Sequence, residues 1–402
     1  MLTLLLAACQ EGEDTSLENG RWRATLDAQG HELPFEFEVS GEGEATVIEL
    51  INADERLTIE DVTFRNDSVI IPMHIFDATL KAKINGDGLV GTWTKNYYED
   101  YSLAFSAKNT DAPRFAAKAG QETENISGRW STTFVYEGEP YEAIGEFSQE
   151  GQKVTGTFLT KTGDYRFLEG VMDGHRLKLS AFDGEHAFLF EADLLSDGTL
   201  QGEFWSGSHS YETFTAERNE AATLPEATSL TYLKEGYEGI SFSFPGLDGN
   251  PVSLDDPKYA GKVVLLQIFG TWCPNCMDET NFLADWYPEN KDRGVEIIGL
   301  SYERKDDFTY AVNRINRIRE KMDVHYDFVV AGTSDKEEAS KTLPMLNAVI
   351  SFPTLIFLDR NHQVRKIHTG FNGPGTGRYY EAFVEEFKLY MEKLLAEEVD
   401  PS

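Results

Sequence analysis

Apolar and polar residues alternate along much of the first half of the chain. Phe35, Phe37 and Val39 are separated by single glutamates, and Leu177 and Leu179 repeat the pattern. A period of two residues is typical of strands that bury one face and expose the other. Glycine-containing turns interrupt these patterns at short intervals. This half is therefore predicted to be antiparallel β structure.

Two stretches of this half begin alike. The sequence "NGRWRATLD" starts at Asn19, and "SGRWSTTFV" starts at Ser127. Similar stretches that each open a long β-rich segment indicate a structural repeat. We therefore predict two copies of one β-rich unit, at residues 17–109 and 126–219. Each is expected to fold as a small antiparallel barrel or sandwich, and a single barrel built from both copies is the alternative.

The repeats show no pattern of catalytic or metal-ligating residues. Their scattered histidines have no metal-ligand spacing; they include His31, His74, His175 and His186. Ligand binding, partner docking and a spacer role all stay open for the repeats. The segments 110–125 and 219–233 are predicted to be linkers.

The pattern changes after about residue 234. Continuous apolar runs at 262–270, 295–302 and 328–331 are typical of strands buried on both faces. Helical patterns lie between them, a hairpin is predicted before them, and a second hairpin and a final helix follow. The order β-α-β-α-β-β-α predicts a layered α/β domain at residues 234–398.

Two helical patterns have apolar faces at spacings of three and four residues. The first comprises Phe308, Val312, Ile315 and Met322. The second, in the final helix, comprises Tyr380, Phe383, Phe387, Met391 and Leu394. The chain as a whole is thus predicted to be multidomain, with two antiparallel β-rich repeats before an α/β domain.

The net charge and the number of cysteines exclude some classes of function. The chain has 402 residues, with 69 acidic and 36 basic side chains and a net charge of −33. Such a surface repels nucleic acid, so no nucleic-acid partner is expected. Its three cysteines cannot form a disulfide framework, so each needs its own explanation.

Two of these cysteines lie in the stretch "GTWCPNCMDE" at residues 270–279. It falls where the first buried strand passes into a predicted helix that begins around Cys273. The unpaired N–H groups and the dipole of a helix N-terminus favour a thiolate there. Cys276 follows one turn later, close enough to form a disulfide. We predict Cys273 as the nucleophile and Cys276 as the resolving thiol, with this redox-active disulfide and no other cofactor.

Other uses of this cysteine pair fit less well. Zinc needs further ligands, and Cys9 is the only other cysteine. A haem attachment site needs His after the second cysteine, where Met277 stands. A peroxidase would place Thr or Ser three residues before its reactive cysteine, where Gly270 stands. A purely structural disulfide across so short a loop stabilises little.

The stretch "WCPNC", followed much later by "SFPT", resembles the thioredoxin fold. The resemblance implies that Pro353 is a cis proline facing the cysteines. It also implies that the backbone of Phe352 binds an extended substrate. Trp272 and Pro274 are further substrate-binding residues expected on this basis.

The leading hairpin and "CPNCMDE" resemble more specifically the membrane-tethered TlpA/ResA thiol-disulfide reductases. In that family a glutamate lies three residues after the second cysteine, and Glu279 matches it. The resemblance implies that Glu279 manages protons between the two sulfurs. The dipeptide Pro274-Asn275 differs from the dipeptides usual in these proteins, which leaves the reduction potential open.

The beginning of the chain suggests a location. "LAAC", ending at Cys9, follows an apolar run and resembles the lipobox of bacterial lipoproteins. That resemblance implies a lipid on Cys9, with residues 1–16 as signal remnant and tether. The protein would then be lipid-anchored in the cell envelope, facing the periplasm or attached to the outer membrane. Gln10 after the cysteine favours the outer membrane, since it is not the aspartate that retains lipoproteins at the inner membrane.

These observations predict an envelope thiol-disulfide oxidoreductase. Reduction of protein disulfides is favoured, because Glu279 and the acidic surface oppose a strongly stabilised thiolate. Its expected partners are disulfide-bearing envelope proteins and an upstream thiol electron donor. The alternatives are a disulfide oxidase or isomerase, and a binding lipoprotein whose thioredoxin-like domain is a redox-inert platform.

Overall fold

The computed structural model describes residues 16–118 and 123–398, and its first nine strands form one antiparallel sheet. The strands are β1 (Gly20–Ala28), β2 (His31–Ser40), β3 (Val47–Asn52), β4 (Glu55–Ile59), β5 (Thr63–Arg65), β6 (Ser68–Pro72), β7 (Ala78–Asn85), β8 (Gly88–Lys95) and β9 (Ser102–Asn109). Their order is β4-β3-β2-β1-β9-β8-β7-β6-β5. This sheet is a half-barrel with β4 and β5 at its edges.

The next nine strands form a second sheet that closes on itself. They are β10 (Gly128–Tyr136), β11 (Glu139–Glu150), β12 (Lys153–Thr160), β13 (Gly163–Asp164), β14 (Leu168–Asp173), β15 (Arg176–Phe182), β16 (Ala187–Leu194), β17 (Leu200–Ser206) and β18 (Ser210–Arg218). Their order is β11-β10-β18-β17-β16-β15-β14-β12-β13, and β11 also pairs with β12. That extra pairing makes the second unit a barrel. Aromatic rings fill its interior, and the rings of Phe190 and Phe204 stack 4.1 Å apart.

The half-barrel and the barrel share a core. Phe182 of β15 packs against Phe35 at 4.3 Å and against Trp93 at 5.2 Å between ring centroids. The predicted linker 110–125 takes part in this contact, because Arg114 in it is 4% exposed and donates to the carbonyl oxygens of Ile51 and Ser180. The described residues of this segment contain no helix or strand and lie between β9 and β10, and the segment also contributes a buried side chain. A buried guanidinium is stable only where such acceptors surround it.

The C-terminal part has a thioredoxin-like fold. A short hairpin of β19 (Phe244–Pro245) and β20 (Pro251–Val252) precedes a five-stranded sheet. The sheet contains β21 (Val263–Phe269), β22 (Val295–Glu303), β23 (Asp327–Thr333), β24 (Thr354–Leu358) and β25 (Val364–Thr369), in the order β23-β22-β21-β24-β25. Strands β21 to β23 are parallel, and β24 and β25 are antiparallel to their neighbours.

Four helices accompany this sheet: α1 (Pro274–Asn290), α2 (Phe308–Lys321), α3 (Lys336–Thr342) and α4 (Arg378–Ala396). Every residue of β21 is buried, so both faces of the sheet are covered. Helices α1 and α4 contact each other through the rings of Phe282 and Phe387 at 4.8 Å.

The structure corrects three details of the predicted helices. Helix α3 was not predicted. On the predicted face of α2, Ile315 is buried, whereas Val312 and Met322 are half-buried and Phe308 is 41% exposed. Helix α2 also buries Ala311 and Ile318. Tyr380 of α4 is half-buried, whereas the other four predicted residues of its apolar face are buried.

The predicted lipidation site, Cys9, lies outside the described residues. Among the residues described, no helix is long and apolar enough to cross a membrane.

Candidate active site

The two cysteines lie where β21 gives way to α1. Cys273 is the N-cap residue of α1, and Pro274 occupies the first turn, where its missing N–H leaves no hydrogen bond unmade. The backbone N–H of Cys276 donates to the Sγ atom of Cys273 at 3.1 Å. The two residues form a disulfide, with their Cα atoms 5.1 Å apart. The N-terminal amides of the helix therefore face the sulfur that is predicted to attack.

The loop before the cysteines is held by a buried carboxyl group. Glu303, at the end of β22, accepts hydrogen bonds from the backbone N–H of Thr271 at 3.1 Å and from its hydroxyl group at 2.6 Å. The indole of Trp272 donates to the carbonyl oxygen of Tyr302 at 2.9 Å. These bonds fix the loop relative to the sheet, and so fix where Cys273 lies.

The peptide bond between Phe352 and Pro353 is cis, as the resemblance implies. It lies directly before β24 and faces the cysteine pair. The carbonyl oxygen of Phe352 lies 3.4 Å from the Sγ atom of Cys273. The rings of Phe352 and Trp272 meet edge to face at 5.5 Å. Trp272 and Pro274 adjoin Cys273 in the chain, and Phe352 contacts it directly before Pro353. Their binding of substrate stays a prediction.

Glu279 is completely buried on α1. Its Oε2 atom accepts a hydrogen bond from the Nε2 atom of Gln267 at 3.0 Å. Burial raises the pKa of Glu279 to about 8, while the bond from Gln267 acts in the opposite direction. A carboxyl group with such a pKa can take up and release a proton near neutral pH, although its role in catalysis stays a prediction.

Residues of the barrel contact the two residues between the cysteines. Arg166, which follows β13, donates through Nη1 to the carbonyl oxygen of Pro274 at 3.0 Å and pairs with Asp278. Asn275 donates through Nδ2 to the Oδ2 atom of Asp164 at 3.1 Å. Burial raises the pKa of Asp278 to about 8, although Arg166 counteracts this effect.

The barrel also forms one wall of the cleft in front of Cys273. The cleft encloses about 290 Å³. Its barrel side includes Tyr165, His186 and Phe188, and its other side includes Lys336 and Phe352. A partner of Cys273 must therefore approach between the barrel and the α/β domain.

No metal site accompanies the cysteines. Within residues 16–118 and 123–398, no group of three or more His, Cys, Asp or Glu side chains is arranged to hold an ion. The site brings together the two sulfurs, the nearby carboxyl groups and the helix N-terminus.

The family comparison agrees with this geometry. Residues 223–382 match the model of the Redoxin family. These residues form a redoxin domain. The redoxin domain contains both cysteines, Glu279 and the cis proline, and it lies outside both β units.

Curated relatives of the redoxin domain are thiol-disulfide oxidoreductases. The chain is 33% identical over 130 residues to the thiol-disulfide oxidoreductase ResA of Bacillus thuringiensis subsp. konkukian (strain 97-27), which is 32% of this chain and 66% of that protein. It is 26% identical over 179 residues to ResA of Halalkalibacterium halodurans, covering 44% of this chain and 81% of that protein. The chain thus spans about two thirds of the length of the first of these relatives.

Among solved structures, the redoxin domain is similar to a thiol:disulfide interchange protein of the thioredoxin family from Chlorobium tepidum TLS. The identity is 18% and the TM-score is 0.31, over 40% of this chain and 99% of that one.

The contribution of the barrel to this site was missed. No catalytic pattern is visible in the sequence of the repeats, yet Asp164 and Arg166 contact the dipeptide between the cysteines. Arg166 precedes Pro274 by 108 residues. No local pattern connects residues so far apart, so only the fold reveals the contact.

Proposed function

We propose that the chain is a thiol-disulfide oxidoreductase of the cell envelope that reduces protein disulfides through Cys273 and Cys276. The observation that carries the proposal is the placement of Cys273. It caps α1, forms a disulfide with Cys276 and faces the cis peptide before Pro353. A helix N-terminus stabilises a thiolate, and the neighbouring Phe352 backbone offers hydrogen bonds to an extended substrate.

The first chemical step starts from the reduced pair. The thiolate of Cys273 attacks one sulfur of a substrate disulfide. A bond forms between Cys273 and that sulfur, the substrate disulfide breaks, and the other substrate sulfur leaves as a thiolate that takes up a proton. The N–H of Cys276, which lies 3.1 Å from Sγ of Cys273, stabilises the attacking thiolate.

The second step releases the substrate. Cys276 loses its proton and attacks the Sγ atom of Cys273. The bond between Cys273 and the substrate breaks, and the second substrate sulfur leaves as a thiolate that takes up a proton. The ionised form of Glu279, which becomes populated as the pH approaches 8, is our candidate for the acceptor of the proton that Cys276 loses. The substrate gains two electrons and two protons, and the protein is left with the Cys273–Cys276 disulfide. A thiol donor must then reduce this disulfide before another cycle.

Two features favour reduction over oxidation as the physiological direction. Asp278 and Glu279 are buried carboxyl groups in the first turns of α1, and ionisation of either opposes a thiolate nearby. The large negative net charge of −33 acts in the same sense. A strong oxidant needs a stabilised thiolate in its reduced form.

The reduction potential of the pair tests the direction. The full chain with Cys9→Ser is equilibrated in glutathione or dithiothreitol buffers, with Cys273→Ser as the control that lacks the pair. A potential near ~−270 mV supports a reductase, whereas a value near ~−120 mV assigns the chain to disulfide formation instead. A pair that never exchanges with the buffer supports the alternative of a binding lipoprotein with a redox-inert platform.

A trapping experiment tests the roles of the two cysteines. With Cys276→Ser the first step proceeds and the second cannot, so a mixed disulfide with substrate accumulates on Cys273. Mass spectrometry identifies the adduct and the captured proteins. Capture of disulfide-bearing envelope proteins agrees with the proposal. The proposal is contradicted if Cys276→Ser forms no adduct, or if Cys273→Ser forms as much adduct as Cys276→Ser.

The envelope location rests on Cys9 and its resemblance to a lipidated cysteine. We expect labelled fatty acid to be incorporated into the full chain and not into Cys9→Ser. The variant should also leave the membrane fraction of cells. Equal labelling and equal fractionation of the two proteins would remove the anchor from the proposal without affecting the dithiol chemistry.

A further inference from the structure

Arg166 is a positively charged residue of the barrel, and its side chain lies against the start of α1. Its side chain is 3% exposed. One guanidinium nitrogen, Nη1, contacts both the carbonyl oxygen of Pro274 and the carboxylate of Asp278. Arg166 thereby holds the residue between the two cysteines and the turn that follows them.

The same guanidinium joins all three parts of the protein. Its Nη2 atom pairs with Glu55 at the start of β4 in the half-barrel, and its Nε atom lies 3.3 Å from the Oδ2 atom of Asp183 in the barrel. The half-barrel, the barrel and the redoxin domain therefore meet at one buried side chain. A guanidinium can do this because its nitrogens form a rigid planar fork.

The backbone at Arg166 is shaped for this contact. Its φ angle is +57°, in the left-handed region that a residue with a side chain rarely adopts. The N–H of Arg166 donates to the Oδ1 atom of Asp164 at 2.6 Å. The other oxygen of Asp164 accepts from Asn275, so one short turn of the barrel engages both residues between the cysteines.

The charge balance around the cysteines depends on Arg166. Carboxyl groups of Asp164, Asp183, Asp278 and Glu55 surround it. Without the guanidinium, these groups would disfavour a negative charge on Cys273. Other groups that line the same cleft are His186 and Lys336, and Arg304 lies over the ring of Trp272 at 3.7 Å.

We propose that Arg166 is a positioning residue through which the barrel sets the redox equilibrium of the Cys273–Cys276 pair. It fixes the carbonyl of Pro274 and supplies positive charge beside the first turn of α1, which stabilises the reduced pair through its thiolate. Arg166 lies outside the matched residues 223–382, so the redoxin domain by itself does not contain this element. The inference rests on dithiol chemistry at Cys273 and not on the direction of electron flow in the cell.

The test uses the full chain with Cys9→Ser and the equilibrium constant between the pair and glutathione. We expect Arg166→Met to destabilise the reduced form and to shift this constant about tenfold, which is ~30 mV toward a more reducing pair. Arg166→Lys keeps the charge but loses the fork, so a smaller shift in the same direction is expected.

Arg114→Met is the matched control. Arg114 is as deeply buried, at 4% exposure, and it joins the half-barrel to the barrel without contacting the redoxin domain in any of its hydrogen bonds. Its loss should reduce stability and leave the glutathione equilibrium unchanged. A purely structural role of Arg166 would make the two methionine variants behave alike.

Asp183→Asn keeps the test valid if Arg166→Met does not fold. This variant removes a carboxylate that pairs with Arg166, and an asparagine oxygen can still accept from the N–H groups of Glu185 and His186. The equilibrium should then shift in the opposite direction. Folded Arg166 or Asp183 variants with the equilibrium constant of the parent protein would overturn the inference. A potential typical of an oxidant in the parent protein would alter the proposed function and leave this comparison intact.

Discussion

Burial shifts the pH range in which the carboxyl group of Glu279 ionises, and this makes the stability of the protein depend on pH. In the unfolded chain it ionises near pH 4.5, whereas in the folded protein burial keeps it protonated up to about pH 8. The folded state therefore binds one proton more than the unfolded state between these values. The stability contributed by this group is complete below pH 4.5 and is lost as the pH rises through 8.

We expect Glu279→Gln to remove this part of the pH dependence. Glutamine has nearly the same shape and does not titrate, so its free energy of unfolding should fall less steeply than that of the parent protein from pH 4.5 to pH 8. Urea denaturation at a series of pH values measures both slopes. Parallel curves for the two proteins would show that Glu279 is ionised in the folded state throughout.

The same substitution tests the role of Glu279 in proton transfer. If this carboxyl group accepts the proton of Cys276, its loss should slow release of the mixed disulfide by ~100-fold or more. Stopped-flow measurement of thiol release separates this step from the initial attack. Glu289→Gln, at an exposed position of the same helix, is the control and should leave the rate unchanged. A rate equal to that of the control would exclude the role.

At the scale of the element, the barrel depends on its aromatic interior. Phe134 of β10 is completely buried and meets the rings of Phe158 and Phe214 at 5.1 Å each. The hydroxyl group of Tyr141 contacts Tyr165 and Glu212, so these three polar side chains are paired with one another. The interior is thus filled by side chains, which favours a structural and positioning role for the barrel.

Phe134→Ala should therefore destabilise the barrel by ~3–5 kcal/mol, because it removes a large side chain from a packed core. Tyr136→Ala on the same strand is the matched control. Tyr136 is 40% exposed, and its loss should change the free energy of unfolding by less than about 0.5 kcal/mol. Urea denaturation followed by circular dichroism measures both. A loss of under about 1 kcal/mol for Phe134→Ala would contradict the packing argument.

The elements that sequence alone predicted have strong local patterns. The apolar run 262–270 contains the fully buried strand β21, as predicted. Cys273 lies at the start of α1, which Pro274 and the cysteine spacing indicated. Helix α3 has only seven residues and buries one of them, Ala339. Its sequence therefore lacks the helical spacing of apolar residues from which a helix could be predicted. Its cap, Asp335, is a local signal that was overlooked.

At the scale of the whole molecule, the contacts between domains had no sequence signal. Nothing in the sequence around Asp164 and Arg166 marks them as part of the cysteine site, and the segment around Arg114 has the composition of a linker. Their roles depend on which surfaces the fold brings together. The chemistry of the cysteine pair could be predicted because its residues are close in sequence, whereas its surroundings could not.

The charge of the whole molecule leads to a final prediction about substrates. The net charge of −33 repels an acidic peptide and attracts a basic one as either approaches the cleft. Lys336 lies in the cleft wall, and its burial and the nearby Lys161 both lower its pKa.

We expect the rate of reduction of a basic peptide disulfide to fall by about tenfold between low and high salt, because salt screens the attraction. An acidic peptide of the same length should react more slowly at low salt and speed up as salt is added. A neutral peptide is the control, since its rate should be nearly constant. Second-order rate constants measured with the reduced full chain give the comparison. Equal salt dependence for all three peptides would mean that Cys273 is reached through a locally neutral path, and that the cleft rather than the surface charge selects the substrate.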